Sequence, residues 1–250
     1  MKRDACVLVG GIVTSTLSSA ELCEMVVTGS AKDSHGPRLL FDINGQGLAM
    51  SQWDSAYRAN LQAAEVVHAD GQPLVTVSRW LTKTPIADRS ATTDLFIDVA
   101  AAAQLAGKSF YLLGGTEEVN AECSRIMESR FRGLKIVGRR NGYFRREDED
   151  HICQEINDSG ADIVWVGLGK PFEQAFCTRN KQKLCANWLI TCGGCFNFVT
   201  GSYSRAPHWV QRVGLEWLHR MATRPRQLAW RYLSTTPVAL YLLLTRTREC

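Results

Sequence analysis

The feature that most restricts how this chain can fold is a rhythm. Short β-branched or apolar runs alternate with segments of helical period along its first 200 residues. The runs predict strands at Cys6–Val13, Leu39–Ile43, Val66–His68, Ser109–Leu113, Lys135–Val137, Asp162–Val166 and Trp188–Thr191. The segments between them predict helices at Ser18–Thr28, Gln46–Ala64, Thr93–Ala106, Glu117–Arg130, Glu147–Asn157 and Phe172–Leu184. A β-then-α order argues for an α/β fold, a mostly parallel sheet with helices on both faces. Ligands in such folds bind outside the carboxyl ends of the strands, so the chemistry is sought in the strand-to-helix turns.

After Gly201 the rhythm stops. Trp209, Val213, Trp217 and Met221 recur at helical spacing, as do Leu215 and Leu218, until Pro225 breaks the pattern. A second short helix is expected from Arg226 to about Leu233, and another after Pro237. The chain is thus read as a catalytic or binding core over 1–200 and an amphipathic helical appendage over 201–250. Charge divides at the same place. From Arg205 to Cys250 there are eight arginines and two glutamates, which is +6 against +4 for the whole chain, so the other 204 residues sum to −2. Arginine interleaved with tryptophan suits an anionic membrane interface, and equally a core-packing helix with a solvated basic face.

Met1-Lys-Arg followed by Ala5–Val13 imitates a signal peptide. Asp4 and the Gly10-Gly11 pair interrupt it, and the run is read as a buried first strand. Pro237–Leu244, eight residues, falls short of the ~20 needed to cross a bilayer. Nine scattered cysteines make no disulfide framework and favour a reducing compartment. Cys192-Gly-Gly-Cys195 has no second pair at zinc-ribbon spacing, so no metal site is assigned, and its glycines read as a loop approached closely by a ligand.

The turns are distinctive. Asp42-Ile-Asn44 ends one strand, and His68-Ala-Asp70-Gly71-Gln72-Pro73 ends the next with an aspartate on a constrained turn. Leu112-Leu-Gly114-Gly115-Thr116 opens a helix but is not GxGxxG, and Glu117 and Glu118 would oppose a pyrophosphate there. Val166-Gly-Leu-Gly169-Lys170-Pro171 with Glu173-Gln174, and Cys192-Gly-Gly-Cys-Phe-Asn197, complete the set. The acidic run Glu147–Asp150 stands at a helix start, where carboxylates favour the dipole.

Together these pieces resemble the WecG/TagA/CpsF family of glycosyltransferases along nearly the whole chain. The matching residues are Asn44; Ala69-Asp70-Gly71-Gln-Pro73-Leu-Val75; Arg89 with Asp94; Phe110-Tyr-Leu-Leu-Gly-Gly115; Asn141-Gly-Tyr143-Phe144; Val166–Pro171 with Glu173-Gln174; Gly193-Gly194 and Phe196; and Arg205-Ala-Pro207 through Gly214-Leu-Glu216-Trp217 to Arg231-Tyr232. Within the family, Thr92-Thr93-Asp94 and the Cys192–Asn197 run look closest to the GumM-like exopolysaccharide glucosyltransferases.

The resemblance implies a Rossmann-like core and a bacterial, inverting transferase without a DxD metal motif or a cofactor. It would move a sugar from a UDP-sugar to a polyprenyl-diphosphate-linked saccharide, on the cytoplasmic face of the membrane. It implies Asp70 as the base on the acceptor hydroxyl, with capping of the helix begun at Pro73 as the alternative. Leaving-group charge would be met by Arg89, Arg205, Arg220, Arg226 and Arg231, the tail arginines serving lipid phosphate equally well. Glu173, Gln174, Asp94 and Gly169 are expected near the nucleotide or sugar. Gly114, Gly115, Gly193 and Gly194 would admit the diphosphate, and Tyr143 or Phe144 would stack on uracil or a sugar, with at least one of the two expected to pack under a loop instead. Two departures stand out. Asp42 replaces a threonine common two residues before Asn44, and Thr92 replaces a glycine.

A Rossmann-type NAD-dependent oxidoreductase and a non-catalytic membrane-bound sugar-nucleotide module are the competing readings. Nucleic acid is not an expected partner, because the body is net negative and carries no matching motif. Oligomeric state is not legible.

Overall fold

The computed structural model describes residues 6–29, 36–207, 209–210, 214–223 and 225–250, without the side chains of Arg220 and Gln227. Six strands form the main sheet: β3 (Arg38–Ile43), β4 (Val66–Ala69), β5 (Ser109–Gly114), β6 (Lys135–Arg140), β7 (Ile163–Gly167) and β8 (Trp188–Thr191). Their spatial order is β4-β3-β8-β7-β5-β6, and each pairing is parallel.

Successive side chains of a strand point to opposite faces, and here both faces are apolar. Leu39, Phe41, Ile43, Val67, Tyr111, Leu113, Val164, Val166 and Leu189 share one core with α2 (Gly45–Trp53), α3 (Ser55–Gln62), α4 (Gln72–Leu81), α7 (Glu149–Ser159) and α8 (Phe172–Asn180). Leu40, Val66, Phe110, Leu112, Ile163, Trp165, Trp188 and Ile190 face the other way. They pack with α1 (Ser19–Thr28), α5 (Thr92–Ala106), α6 (Glu117–Arg130) and α9 (Cys195–Val199). The expected helix-covered parallel sheet is the fold that forms.

Local signals set the boundaries, and some override the periodicity. The stretch read as one helix from Gln46 to Ala64 is two, because Asp54 ends α2 and caps α3 by accepting from Tyr57 N at 2.8 Å. Cys6–Val13 is not a single buried strand of the main sheet. Gly10 and Gly11 take φ of 59° and 85°, the sign a tight hairpin turn requires, and fold the segment into β1 (Cys6–Val9) and β2 (Ile12–Ser15). The segment expected to be helical through Leu184 leaves the α-helix at Asn180 and ends in a 3-10 turn over Lys181–Lys183.

The C-terminal segment has two helices in the described residues after Gly214: α10 (Glu216–Thr223) and α11 (Pro225–Thr245). Pro225 starts a helix, a position where its missing N–H costs nothing. Pro237, expected to separate two helices, lies inside one. The helix survives because a single stripe packs on both sides of the proline: Tyr232 and Thr235 before it, Ala239, Leu242 and Leu243 after it, all buried. Ala239, Leu242 and Leu243 belong to the same core as Leu48 of α2. Beyond α11, β9 (Arg248–Glu249) pairs antiparallel with β1, Val7 opposite Glu249. No helix among the described residues is long and apolar enough to cross a membrane.

Candidate active site

The carboxyl ends of β4, β3, β8 and β7 open into a cleft of about 460 Å³, lined also by residues of α10 and α11. It holds the ten expected residues Asp42, Asn44, Asp70, Arg89, Gly169, Glu173, Gly193, Gly194, Arg205 and Arg231.

Asp70 follows the last residue of β4, with its own N–H on Ile43 O at 2.9 Å. Its carboxylate is aimed by two neighbours. Oδ1 accepts from Thr92 N at 3.0 Å and Oδ2 from Asn44 Nδ2 at 3.2 Å, while Asn44 Oδ1 caps α2 through Gly47 N at 3.1 Å. Asp70 does not cap the helix that follows it, since the N-cap of α4 is Gly71, with no side-chain hydrogen bond there. It meets instead the first N–H of α5, whose own preceding residue, Ala91, has no capping side chain. Burial alone would raise the Asp70 carboxyl; Arg89, Lys170, the Thr92 N–H and His68 outweigh it and hold the group below its ordinary range. Asp70 is therefore ionised at neutral pH.

The floor is charged and buried. Asp42, last but one in β3, receives the Lys170 ammonium on Oδ2 and the Thr191 hydroxyl on Oδ1 at 3.1 Å. Glu173, in the first turn of α8, gathers two glycine loops: Gly169 N and Gly193 N both donate to Oε2 at 3.0 Å. Burial pushes the Glu173 carboxyl up to about 7, against the lowering effect of Lys170 and these N–H groups. For Lys170, burial favours the neutral amine, but Asp42, Tyr57 and Glu173 prevail and raise its pKa, so it stays charged. Cys192 and Cys195 also line the cleft, and burial lifts both thiols well above their ordinary range, which leaves them protonated and poor nucleophiles.

Arginines form the opposite wall. Arg205 grips Asp94 with two parallel hydrogen bonds of 2.5 and 2.6 Å. Arg89 donates from Nε to the Asp70 carbonyl at 2.8 Å and from Nη2 to Glu216 Oε2 at 2.7 Å, which ties α10 to the β4 turn. Arg231 has no carboxylate partner among the described residues. Its guanidinium lies over the Tyr232 ring, and its buried Nε lacks a hydrogen-bond partner. The Thr92 hydroxyl, also lining the cleft, is likewise buried and unpartnered. In the cleft the guanidinium can donate to a ligand oxygen, and the hydroxyl can donate or accept.

Several expected residues do not line this cleft. Gly114 and Gly115 sit at the end of β5, where a Cβ on Gly114 would come within 2.2 Å of Gly167 O, so close strand packing already requires that glycine. Tyr143 is exposed, Phe144 packs against Phe176, and Gln174 is buried with Nε2 on Glu173 Oε1 at 3.3 Å. Asp94 reaches the site through Arg205, and Arg226 is exposed. The side chain of Arg220 lies outside the described residues. Lys170, Thr92 and Glu216 were not expected to act, though each stood inside a quoted motif. Their only sequence signal was a polar or charged residue in a turn or at a helix start. Among the described residues no three His, Cys, Asp or Glu side chains gather as a metal site. Compared with known families, the chain matches the model of the Glycosyl transferase WecG/TagA/CpsF family over residues 7–249.

Proposed function

The chain belongs to the WecG/TagA/CpsF family of glycosyltransferases, and on that premise we propose an inverting transfer of a hexose from a UDP-sugar to a polyprenyl-diphosphate-linked saccharide. One observation carries the reading: an ionised carboxylate, Asp70, shares a cleft with Arg231, a cation that no described carboxylate neutralises. The first suits a base and the second an incoming diphosphate.

In this mechanism the acceptor hydroxyl gives its proton to Asp70 as its oxygen attacks the anomeric carbon. The bond from that carbon to the UDP oxygen breaks on the opposite face, and UDP leaves with the electron pair. Arg231, with Arg89 and Arg205, meets the growing charge on the diphosphate. Thr92 N–H and Asn44 keep Asp70 in place, so little reorganisation is needed at the moment of transfer.

An anionic membrane surface is the proposed working place. The face of α11 opposite its core stripe carries Trp230, 82% exposed, with Leu233, Leu240, Tyr241 and Leu244 also in solvent. Exposed Trp53 ends α2, the helix against which α11 packs. An apolar, aromatic face on a basic segment suits the headgroup boundary of the inner leaflet.

The test is a donor screen that follows UDP release with polyprenyl-diphosphate glucose as acceptor, with and without chelator. Acceptor-dependent release unaffected by chelator is expected. No release with any UDP-sugar, or release only when manganese or magnesium is restored, refutes the proposal.

A further inference from the structure

The floor of the cleft holds more ionisable groups than the transfer step uses. Asp42, Lys170 and Glu173 converge there from β3, from the turn after β7 and from α8, with side chains 5%, 8% and 0% exposed. Burying charges is costly unless each is paired, and replacing such a cluster by apolar side chains is often neutral or stabilising. Its presence in a ligand cleft therefore points to recognition rather than to stability.

Hydrogen-bond capacity indicates which member faces the ligand. Glu173 is occupied by Gly169, Gly193 and Gln174, and Asp42 by Lys170 and Thr191. The Lys170 ammonium has three protons and one hydrogen-bond partner, Asp42; Glu173 Oε1 stands 4.0 Å away. Lys170, which lines the cleft, thus has donors to spare. The sign of the surroundings indicates the partner. Asp42 and, where it is ionised, Glu173 offset this one cation, so the place offers an incoming full negative charge little net attraction, while a neutral oxygen is welcome. Phosphate belongs at the arginine wall; Lys170 takes a hydroxyl.

We infer that Lys170, anchored by Asp42, is a specificity-determining residue that donates to a ring hydroxyl of an uncharged sugar and disfavours a uronate at that place. This rests on the transferase reading above, and the sugar belongs either to the donor or to the acceptor. A buried site that supplies a charged donor to a substrate hydroxyl discriminates strongly against the analogue lacking it.

The experiment is a cycle between protein and substrate. Wild type, Lys170→Met and the charge-balanced pair Asp42→Asn/Lys170→Met are assayed with UDP-hexose, its mono-deoxy analogues and UDP-hexuronate. A parallel series uses deoxy and uronate acceptors. UDP affinity is measured by calorimetry for each protein. For wild type we expect kcat/KM to fall about 10- to 100-fold for one deoxy analogue, the size of a hydrogen bond to a charged group. That penalty should shrink to within about threefold in Lys170→Met. The series that shows it, donor or acceptor, identifies the sugar, and UDP affinity should change little. If Lys170→Met does not fold, the double variant answers the same question, because it removes the Asp42 carboxylate together with its ion-pair partner while Glu173 keeps its donors from Gly169, Gly193 and Gln174. An unchanged deoxy penalty in the variant, no penalty in wild type, or equal use of uronate and hexose overturns the inference while leaving the transferase reading intact. Failure of wild type to bind UDP removes both.

Discussion

Asp70 and Thr92 meet across two elements: the carboxylate at the end of β4 accepts the first N–H of α5 at 3.0 Å. A helix N-terminus carries partial positive charge, so this contact stabilises the ionised carboxylate as well as aiming it. The same hydrogen bond gives α5 the cap that Ala91 cannot supply. Catalytic and structural roles thus fall on one side chain, and a substitution must be read for both.

Asp70→Asn keeps an oxygen for Thr92 N and removes the proton acceptor. It should fold and bind UDP within a few-fold of wild type, while kcat drops about 10²- to 10⁴-fold. Turnover within a few-fold of wild type would take Asp70 out of the mechanism. In the wild type, the folded pKa lies below the ordinary carboxylate value, so Asp70 stays deprotonated through neutral and mildly acidic pH. The acid limb of the kcat/KM profile should therefore lie below the range of an unperturbed aspartate, and be missing in the variant.

Glu216→Ala releases the Nη2 end of Arg89, which keeps only its Nε bond to the Asp70 carbonyl. Glu216 acts as a positioning residue, and its loss should lower kcat about tenfold, the worth of one charge-assisted hydrogen bond. Glu216→Gln, which retains an acceptor oxygen, should recover most of that. A purely structural role would instead lower the melting temperature of both variants and leave kcat per folded molecule unchanged.

Glu173 has its proton held more tightly in the folded chain than in the unfolded one, because burial pushes the carboxyl from 4.5 up to about 7. Its contribution to stability is accordingly complete below pH ~4.5 and lost as pH rises to about 7. Glu173→Gln should abolish that component. Thermal unfolding of the variant should depend less on pH across this window, and its stability relative to wild type should be greater at pH 8 than at pH 4. Both glycine N–H groups converge on a single oxygen, Oε2, which the glutamine can supply. Gln174, whose Oε1 has no partner, can turn that oxygen toward the new amide. An identical pH dependence in the two proteins would show that Glu173 does not titrate there.

Replacing Trp230, Leu233 and Leu244 of α11 by serine leaves the buried stripe of Tyr232, Thr235, Ala239, Leu242 and Leu243 in place. The triple variant should fold, yet float with anionic liposomes at least tenfold less well than wild type, whose own binding should weaken with salt. Equal flotation would dismiss the interfacial face. Removing everything after residue 200 is a poorer test, since it also strips Ala239, Leu242 and Leu243 from the core.

Much of the layout could be read from the chain. Runs such as Ser109–Leu113 and Trp188–Thr191 announced strands buried on both faces, and the turns after them named Asn44, Asp70, Gly169 and Gly193. The misreadings were local contests. Gly10-Gly11 turned one strand into a hairpin, Asp54 cut a helix in two, and the packed stripe of α11 carried a helix past Pro237.

Period and turn chemistry act over a few neighbouring residues, and to that extent the amino-acid order alone decided which segments became strands and helices and which side chains stood in turns. Partnership across the cleft was decided elsewhere. Lys170 reaches Asp42 from 128 positions away, and Glu216 reaches Arg89 from 127, because the sheet runs β4-β3-β8-β7 and because α11 lies back over α2. Strand order and helix docking are set by the packing of whole elements, so no local pattern encodes which charge will meet which.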